Sequence, residues 1–534
     1  MLSGARAQVD GQCVLGGKFW SLDRVLNPMY STDMANLSPI VRSPGVNASE
    51  RILVALCDKA FLPLWCYPNV FRTPGKELCD VLVIFGDDII IFSDKASNFN
   101  TVIDSELAWT RWKRKTIEKS AEQLERAEHW LKNHSDRIFL DGKCKEKVPL
   151  PIRKGARIHK VLVAQGAAEA CQKHFGSATG SLITNGYSIA KPPTEQKFCV
   201  YHCEYDSFFH ILDEATLPLI LNELDTAADF IDYLSQRETA LLTDQVSISM
   251  GEEGLLAMYL KSCISGQFKR KFIHFDDKPE GASVIVDDRL WYEVVTSEEY
   301  QKKQLDDRAS YYWDSIMQEL SQAIVSGAVA NPNALGLAEH EMIARIMASV
   351  GRYRRRVLSL SMAERQHSTK VRSVGLRFLM SEGHAYVMCV FSDWEFASWE
   401  EYRAHRQFYA IMYARYNLLI HPGLDQVIGI AYDAAHSSSM SYDFVLALRS
   451  EPFSPIELKE ISLMRKRCKW GRSLEVRTFG FVHTLEMRAD VIETFSISKP
   501  STAGAQKSKA EDDTRRRKQK TQKEARKKGR QKGP

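Results

Sequence analysis

Residues 75–95 read GKELCDVLVIFGDDIIIFSDK, two apolar runs joined by a short polar link. The runs 79–85 and 89–95 are rich in β-branched and aromatic residues, which favour extended strands. Only Gly86, Asp87 and Asp88 separate them, and a short Gly/Asp link between two such runs is typical of a β-hairpin. The stretch therefore predicts two adjacent antiparallel strands.

The two ends of this predicted hairpin carry opposite charges. Asp80 opens the first strand and Lys95 closes the second, so the turn returns Lys95 to the level of Asp80. Because successive side chains of a strand point to opposite faces, Ser93 and Lys95 share one face and Asp94 points to the other. The sequence therefore predicts that one carboxylate and one ammonium meet at one end of a sheet.

A carboxylate beside an ammonium suits the hydrolysis of a phosphodiester bond. A divalent cation held by carboxylates lowers the pKa of a bound water and polarises the phosphoryl oxygen. A neighbouring ammonium orients the nucleophile and stabilises the negative charge that develops. On this basis we expect Asp80 to hold a metal ion and Lys95 to contact the phosphate and the attacking water.

Helix and strand patterns flank the hairpin. A helix is predicted to begin near Asn47, with Glu50 three residues later in capping-box spacing, and a strand over residues 64–70 links it to the hairpin. A long charged helix is predicted over residues 106–133, with further strands over 137–141 and 157–164. The predicted order is α-β-β-β-α-β-β, which is a small mixed sheet with helices against it.

This pattern resembles the PD-(D/E)XK restriction-endonuclease-like superfamily, and within it the Mrr-like and nuclease-related branches. The resemblance covers about residues 47–164, under a quarter of the chain. The residues that carry it are Glu50 on the leading helix, Asp80 on the first hairpin strand, the triplet Ser93, Asp94 and Lys95 on the second, and Gln123 on the charged helix. The motif is degenerate, since Ser93 stands where the family usually carries Glu, Asp or Gln.

The resemblance implies a nuclease site and its cofactor. It implies that Asp80 binds Mg²⁺, or Mn²⁺ in its place, and that Lys95, Ser93 and Glu50 complete the catalytic group. Because a neutral hydroxyl is a poor Mg²⁺ ligand, Glu77 or Glu50 would supply the missing carboxylate. The implied substrate is DNA, with RNA as the other candidate, in restriction, defence or repair.

Beyond residue 164 the patterns are less specific. Helices predominate at first, and an alternation of strands and helices then suggests a separate α/β domain. We therefore predict a mixed α/β (α+β) protein. Its predicted segments are an N-terminal extension (1–46), a restriction-endonuclease-like domain (47–164), a mainly helical middle region (165–365), a C-terminal α/β domain (366–498) and a disordered basic tail (499–534).

Basic residues concentrate at the C-terminus. Residues 507–534 hold 13 Lys and Arg against 4 acidic residues, a net charge of +9, whereas the whole chain of 534 residues carries +5. A segment this polar cannot bury enough apolar surface to fold, and its cations favour a polyanionic partner. A solubilising terminus without a specific partner is the alternative. The residues predicted to bind nucleic acid are Arg515, Arg516, Arg517, Lys518, Lys527 and Lys528.

Composition and motifs exclude several other classes. No apolar run approaches the roughly 20 residues that span a bilayer, and the N-terminus lacks the apolar core of a signal peptide. The 11 cysteines are scattered and odd in number, which favours reduced thiols, so we expect a cytoplasmic protein without a membrane partner. Nucleotide hydrolysis, zinc proteolysis and serine hydrolysis lack support, because the sequence contains no phosphate-binding loop, HExxH or GxSxG motif.

Three functions stay open from the sequence alone. The first is a Mg²⁺-dependent DNA nuclease whose later domains choose the substrate. The second, which Ser93 favours, is a catalytically inactive protein that keeps the nuclease fold and binds nucleic acid, and the third is a protein-interaction scaffold. The arginine cluster at 352–356 could contact phosphates, but a solvated helix face with ion pairs is the favoured interpretation. The sequence does not specify an oligomeric state.

Overall fold

The computed structural model describes residues 9–14 and 37–470, apart from gaps at 177–179, 193–195, 265–282, 330–335, 382–383, 393–395, 397, 438–439 and 469. Three mixed sheets and the helices around them make up this part of the chain, which confirms the predicted mixed α/β class. The six tail residues predicted to bind nucleic acid lie outside the described residues, so their role stays a prediction.

The secondary-structure elements are numbered along the chain. The strands are β1 (Val9–Val14), β2 (Cys66–Thr73), β3 (Lys76–Phe85), β4 (Asp88–Ala96), β5 (Arg157–Gln165), β6 (Ile183–Asn185), β7 (Cys199–Tyr201), β8 (His210–Asp213), β9 (Val246–Ser249), β10 (Val284–Val286), β11 (Ser373–Ser381), β12 (His384–Phe391), β13 (Gln426–Asp433) and β14 (Tyr442–Leu448). The helices are α1 (Ala48–Trp65), α2 (Ser105–Lys113), α3 (Lys119–Asn133), α4 (Ala168–Phe175), α5 (Thr216–Glu223), α6 (Ala227–Leu242), α7 (Glu252–Ile264), α8 (Arg289–Val295), α9 (Glu298–Asp307), α10 (Tyr311–Ser326), α11 (Leu337–Ala348), α12 (Arg352–Ser368), α13 (Trp399–Ile420) and α14 (Pro455–Arg467). Within the described ranges, none of the helices combines the length and the apolarity that crossing a membrane requires.

The first sheet, called the hairpin sheet below, contains the predicted hairpin. Its strands lie in the order β2-β3-β4-β5-β8. The pairs β2/β3 and β3/β4 are antiparallel, and the pairs β4/β5 and β5/β8 are parallel. Because β8 comes from the segment predicted as the helical middle region, the sheet continues past residue 164.

The hairpin forms at the predicted place. Gly86 and Asp87 make the turn between β3 and β4, and Gly86 has φ of +64°, a conformation that glycine adopts without a Cβ clash. Residues 79–85 and 89–94 are buried without interruption. Consecutive strand residues point to opposite faces, so both faces of the sheet are covered, which explains the two nearly continuous apolar runs.

Two helical segments pack on this sheet. Helix α1 begins as predicted, because the side chain of Asn47 accepts a hydrogen bond from the backbone N–H of Glu50 at 3.0 Å. The long charged helix consists of α2, a π-helical turn at Arg114–Glu118, and α3. The apolar side chains that α3 buries recur at helical spacing and are Ala121, Leu124, Ala127 and Leu131.

The middle and C-terminal parts hold the other two sheets. A small sheet has the order β10-β9-β6-β7, and the C-terminal sheet has the order β1-β11-β12-β13-β14. The N-terminal segment predicted as an extension thus provides the edge strand β1. In β12, Val387 and Cys389 pack with residues of α13, whereas Tyr386 and Met388 face the core shared with α10, in which Trp313 meets Tyr386 edge to face.

Two local predictions were wrong. The strand predicted over residues 137–141 is an irregular segment in which Phe139 forms isolated bridges to Phe71 and Lys147. The arginine cluster of α12 is not a solvated face, because Arg352, Arg354 and Arg355 are buried. Arg352 pairs with Asp225 at 2.5 Å and with Asp314, so carboxylates from the α5–α6 link and from α10 neutralise this cation in the interior.

Candidate active site

Asp80 and Lys95 lie together at the open end of the hairpin. Nζ of Lys95 is 3.8 Å from Oδ2 of Asp80. The Asp80 side chain is 3% exposed and the Lys95 side chain 37% exposed, so the carboxylate is held inside the fold while the ammonium reaches solvent. The two opposite charges that the hairpin turn brings to one end of the sheet are therefore in ion-pair contact.

The two hairpin strands separate at this end. Both continue past their last registered pair, which is Val81 opposite Phe92. Beyond this pair β3 remains bonded to β2, and β4 remains bonded to β5. In the gap between them, Oδ2 of Asp80 accepts a hydrogen bond of 2.5 Å from the backbone N–H of Asp94. The carboxylate thus accepts the hydrogen bond that a backbone carbonyl of the paired strand would otherwise accept, and this bond fixes its position.

The environment of Asp80 destabilises its ionised form. Burial raises the pKa of Asp80, because a buried carboxylate loses its hydration. Lys95, the N–H of Asp94 and the side chain of Gln123 lower this pKa, whereas the charge of Glu50 raises it, and the net shift is upward. A further positive charge beside Asp80, such as a metal ion, would therefore stabilise its ionised form.

A single asparagine joins two more acids to the site. Nδ2 of Asn69 on β2 donates to Oε1 of Glu77 at 2.9 Å and to Oε2 of Glu50 at 3.1 Å. Burial raises the pKa of Glu77, the hydrogen bond from Asn69 opposes this shift, and neighbouring carboxylates add to it. Glu50 also accepts hydrogen bonds from the N–H of Val46 and from Nδ2 of Asn47. Glu50 therefore belongs both to the start of α1 and to this acidic group.

Asp94 is a fourth acid of this region. The sequence did not predict it as a site residue, because alternation along the strand points its side chain to the face opposite Lys95. Its carboxylate accepts hydrogen bonds from Ser49 on α1 and, at 2.5 Å, from Gln165 on β5. Burial raises the pKa of Asp94 to about 6, and the charges of Asp80 and Glu50 contribute to the rise. Although its contacts are with α1 and β5, the separated strand ends leave its charge close to Asp80.

Ser93 occupies the position where the resemblance expects an acid. Its side chain is 0% exposed, and its Oγ lies 3.4 Å from Oε1 of Gln123, to which it donates a long hydrogen bond. Gln123 in turn hydrogen-bonds Asp80. Ser93 therefore contributes to the site through Gln123 and adds no negative charge.

A cavity of about 260 Å³ lies beside these residues. Its lining consists of Arg72, Glu77, Leu78, Lys95, Gln123, Arg126 and Ala127. Three of these side chains are cationic and one is anionic. A phosphate group that enters this cavity would meet an ammonium and two guanidinium groups next to the buried carboxylates, which matches the charge distribution of a phosphodiester substrate.

The two arginines of the cavity were not predicted. Arg126 lies one helical turn after Gln123 on α3, so the helical period could have placed it on the same side of the helix. Its guanidinium is 3.6 Å from Glu122. Arg72 is near the end of β2, where its guanidinium carbon lies 5.8 Å from the ring centre of Trp130, and no sequence pattern indicates this placement.

The donor set suits a hard divalent cation. Mg²⁺ prefers oxygen ligands, and Asp80 and Glu77 offer carboxylate oxygens whose pKa values are raised by burial and by neighbouring acids. Four carboxylates, those of Asp80, Glu77, Glu50 and Asp94, outnumber the three cations that line the cavity, which are Lys95, Arg72 and Arg126. The residues present therefore fit Mg²⁺ or Mn²⁺.

Comparison of the chain with protein-family models, with curated proteins and with solved structures gives no match. The resemblance to the PD-(D/E)XK superfamily therefore remains a prediction that depends on residues 47–164 and on the geometry described above.

Proposed function

We propose that the chain is a metal-dependent nuclease that cleaves phosphodiester bonds of DNA at this site. The observation that carries the proposal is the 3.8 Å contact between Nζ of Lys95 and Oδ2 of Asp80, next to a cavity with two arginines. Metal-dependent hydrolysis of a phosphodiester uses acidic residues to bind the metal ion and cationic residues to bind the phosphate, and both kinds of residue lie close together here.

Each residue has a separate proposed role. Asp80 and Glu77 would hold Mg²⁺ or Mn²⁺, which supplies a more acidic bound water and neutralises charge on the phosphoryl oxygen. Lys95 would bind a non-bridging phosphate oxygen and stabilise the negative charge that grows there. Arg72 and Arg126 would orient the DNA backbone through its phosphates.

The remaining polar residues position these groups. Gln123 holds Asp80 and is itself held by Ser93, and Asn69 keeps Glu77 and Glu50 in fixed orientations. In the reaction the oxygen of a water molecule forms a new bond to phosphorus and the water gives up a proton. The ester bond to the leaving oxygen breaks, and the leaving oxygen takes up a proton. Ligands that are held by hydrogen bonds in this way reduce the reorganisation needed during the reaction.

An inactive nuclease fold that binds nucleic acid, or acts as a protein-interaction scaffold, is the second proposal. The neutral, fully buried Ser93 supports it, because it removes one of the acids expected of an active site. For an inactive nucleic-acid-binding protein we expect salt-dependent binding to DNA and no cleavage in Mg²⁺ or Mn²⁺. For a protein-interaction scaffold we expect no binding to DNA or RNA even at low salt.

One experiment separates these possibilities. The purified full-length chain is incubated with supercoiled plasmid, linear duplex, single-stranded DNA and RNA, each in Mg²⁺, in Mn²⁺ and in chelator, and binding to each is measured in chelator. Metal-dependent cleavage of DNA supports the nuclease, binding without cleavage supports the inactive form, and the absence of both supports the scaffold.

We further propose a cytoplasmic location, which is supported by the free thiols of nine described cysteines.

A further inference from the structure

A second polar cluster lies at the other end of the hairpin sheet. His159 on β5, His210 on β8 and Glu238 on α6 each offer a ligand atom, and these three atoms lie within 4.8 Å of one another. The strand β4 runs from Asp88 near this cluster to Asp94 near the candidate active site, and at about 3.3 Å per residue the two are roughly 20 Å apart. The cluster is therefore a separate feature.

The two histidines are buried without the hydrogen bonds that such rings need. His210 is 1% exposed, and neither of its ring nitrogens has a partner among the described residues. Nδ1 of the buried His159 likewise has no partner in the described part of the chain. Buried polar atoms are nearly always satisfied in folded proteins, so unpaired nitrogens on two rings whose centres lie 6.0 Å apart point to a shared ligand.

The remaining nitrogen of His159 is held by a carboxylate. Nε2 of His159 is 3.3 Å from Oδ1 of Asp88, and since a carboxylate can only accept, Nε2 carries the proton. With Nε2 donating to Asp88, Nδ1 is the nitrogen of His159 that can donate a lone pair to a metal ion. Histidines that bind metals in proteins commonly donate their other ring N–H to a carboxylate in this way.

The charges around the cluster permit a cation. Arg237 is paired with Glu252 at 2.7 Å, and Lys160 is paired with Glu128 at 2.7 Å, so each neighbouring cation has its own carboxylate. Glu238 brings the negative charge that a divalent ion requires.

We propose that His159, His210 and Glu238 bind a zinc ion that ties β5 and β8 of the hairpin sheet to helix α6. Two imidazole nitrogens and one carboxylate suit zinc, whereas Mg²⁺ prefers oxygen ligands alone. Zinc–nitrogen distances of about 2.0–2.1 Å place tetrahedral ligands roughly 3.4 Å apart, so small side-chain movements complete the coordination. Three protein ligands leave a fourth position for water.

Zinc binding by the full-length chain tests this proposal. The protein is dialysed against chelator, the chelator is removed, and ZnCl₂ is titrated in by calorimetry, with MgCl₂ as the comparison. We expect one equivalent of zinc to bind more tightly than magnesium by at least about 100-fold, and CoCl₂ to give the visible absorption of a low-symmetry cobalt site.

Variants assign the ligands. His210→Ala and Glu238→Gln should weaken zinc binding by more than about 100-fold, and Asp88→Asn by about 10-fold, since second-sphere partners typically contribute 10- to 100-fold. His202→Ala is the matched control, because His202 is also buried with unpaired ring nitrogens but lies outside the cluster. Asp80→Asn should leave the zinc affinity unchanged, which keeps the result independent of the proposed nuclease site.

The proposal is overturned if the folded wild-type chain binds no zinc, or if Glu238→Gln and Asp88→Asn bind zinc as tightly as wild type. If His210→Ala fails to fold, these two variants decide the question, because Glu238 and Asp88 are only partly buried. Equal loss of binding in His202→Ala would also overturn the assignment, since it would show a general effect on the core.

Discussion

The ammonium of Lys95 lies 3.8 Å from the buried carboxylate of Asp80, across the gap where β3 and β4 separate. This contact depends on the hairpin register, because a slip of one residue would move Lys95 to the opposite face of the sheet. The hairpin turn and the buried apolar pairs fix that register, so the same residues that form the core also form the site.

Asp94→Asn is expected to change how stability depends on pH. The pKa of Asp94 rises from 3.8 to about 6 on folding, so the folded chain holds this proton more tightly than the unfolded chain. The resulting stabilisation is fully present below the unfolded pKa and is lost as the pH rises through about 6. A shift of about two units corresponds to roughly 3 kcal/mol at most.

Urea unfolding of wild type and Asp94→Asn between about pH 4 and pH 8 measures this effect. The variant should gain stability relative to wild type as the pH rises, because only the wild type must ionise a buried carboxyl group at position 94. Asp87→Asn, which changes an exposed acid of the same hairpin, is the control and should show no such trend. A pH-independent difference for Asp94→Asn would contradict the prediction.

Ser93→Ala and Gln123→Ala should have unequal effects on DNA cleavage. The long hydrogen bond of Ser93 is worth about 0.5 kcal/mol, so its loss should change the rate by roughly twofold. Gln123 lines the cavity and holds Asp80, and losing such a supporting partner typically reduces activity by about 10- to 100-fold. Initial rates on plasmid DNA measure both, and a larger loss in Ser93→Ala would reverse the assigned roles.

Gly166→Ala should destabilise the chain next to the site. Gly166 has φ of +97°, and an added Cβ would stand 2.3 Å from the backbone oxygen of Ser97. The strained backbone and this overlap together should lower the free energy of unfolding by more than about 2 kcal/mol. Gly155→Ala is the matched control, because Gly155 also has positive φ, +84°, but no atom within 4 Å of the added Cβ.

The control variant Gly155→Ala should lose only about 1 kcal/mol, which is the cost of the left-handed conformation alone. Urea unfolding of the two variants and wild type provides the comparison. Equal losses in both would show that the approach of Ser97 to Gly166 has no effect on stability.

Deletion of residues 507–534 should remove most of the salt dependence of DNA binding. Each phosphate that a cation neutralises contributes about −0.9 to the slope of log K against log salt on duplex DNA. With 13 Lys and Arg in this segment, the slope should fall by several units. Fluorescence anisotropy with a duplex in chelator measures it, and a tail of equal length with Gln in place of Lys and Arg is the control. An unchanged slope after the deletion would contradict this prediction and would show that residues before 507 bind the DNA.

Much of the hairpin region could be predicted from the sequence because its signals are local. The apolar runs, the Gly-Asp turn and the capping residue Asn47 each act within a few residues, and all three appear as predicted. The hairpin turn and the alternation of side chains along a strand together predicted that Asp80 and Lys95 meet at one end of the sheet.

The rest of the site depends on contacts between distant segments, which single-sequence patterns do not specify. Arg72 and Asn69 reach the site because β2 pairs with β3, and Gln165 reaches Asp94 because β5 lies beside β4. The buried Arg352 was misjudged for the same reason, since its partner Asp225 comes from a distant segment of the chain.

Cleavage of supercoiled plasmid by wild type and Asp80→Asn, in Mg²⁺, in Mn²⁺ and in chelator, tests the nuclease proposal most directly. Asn keeps the acceptor for the N–H of Asp94 but removes the charge, so Asp80→Asn should stay folded, as a thermal melt can verify. We predict Mg²⁺-dependent cleavage that falls by at least about 100-fold in Asp80→Asn and in Lys95→Ala, while Asp87→Asn cleaves normally. Full activity in Asp80→Asn, or no cleavage by the folded wild type in either metal, would contradict it.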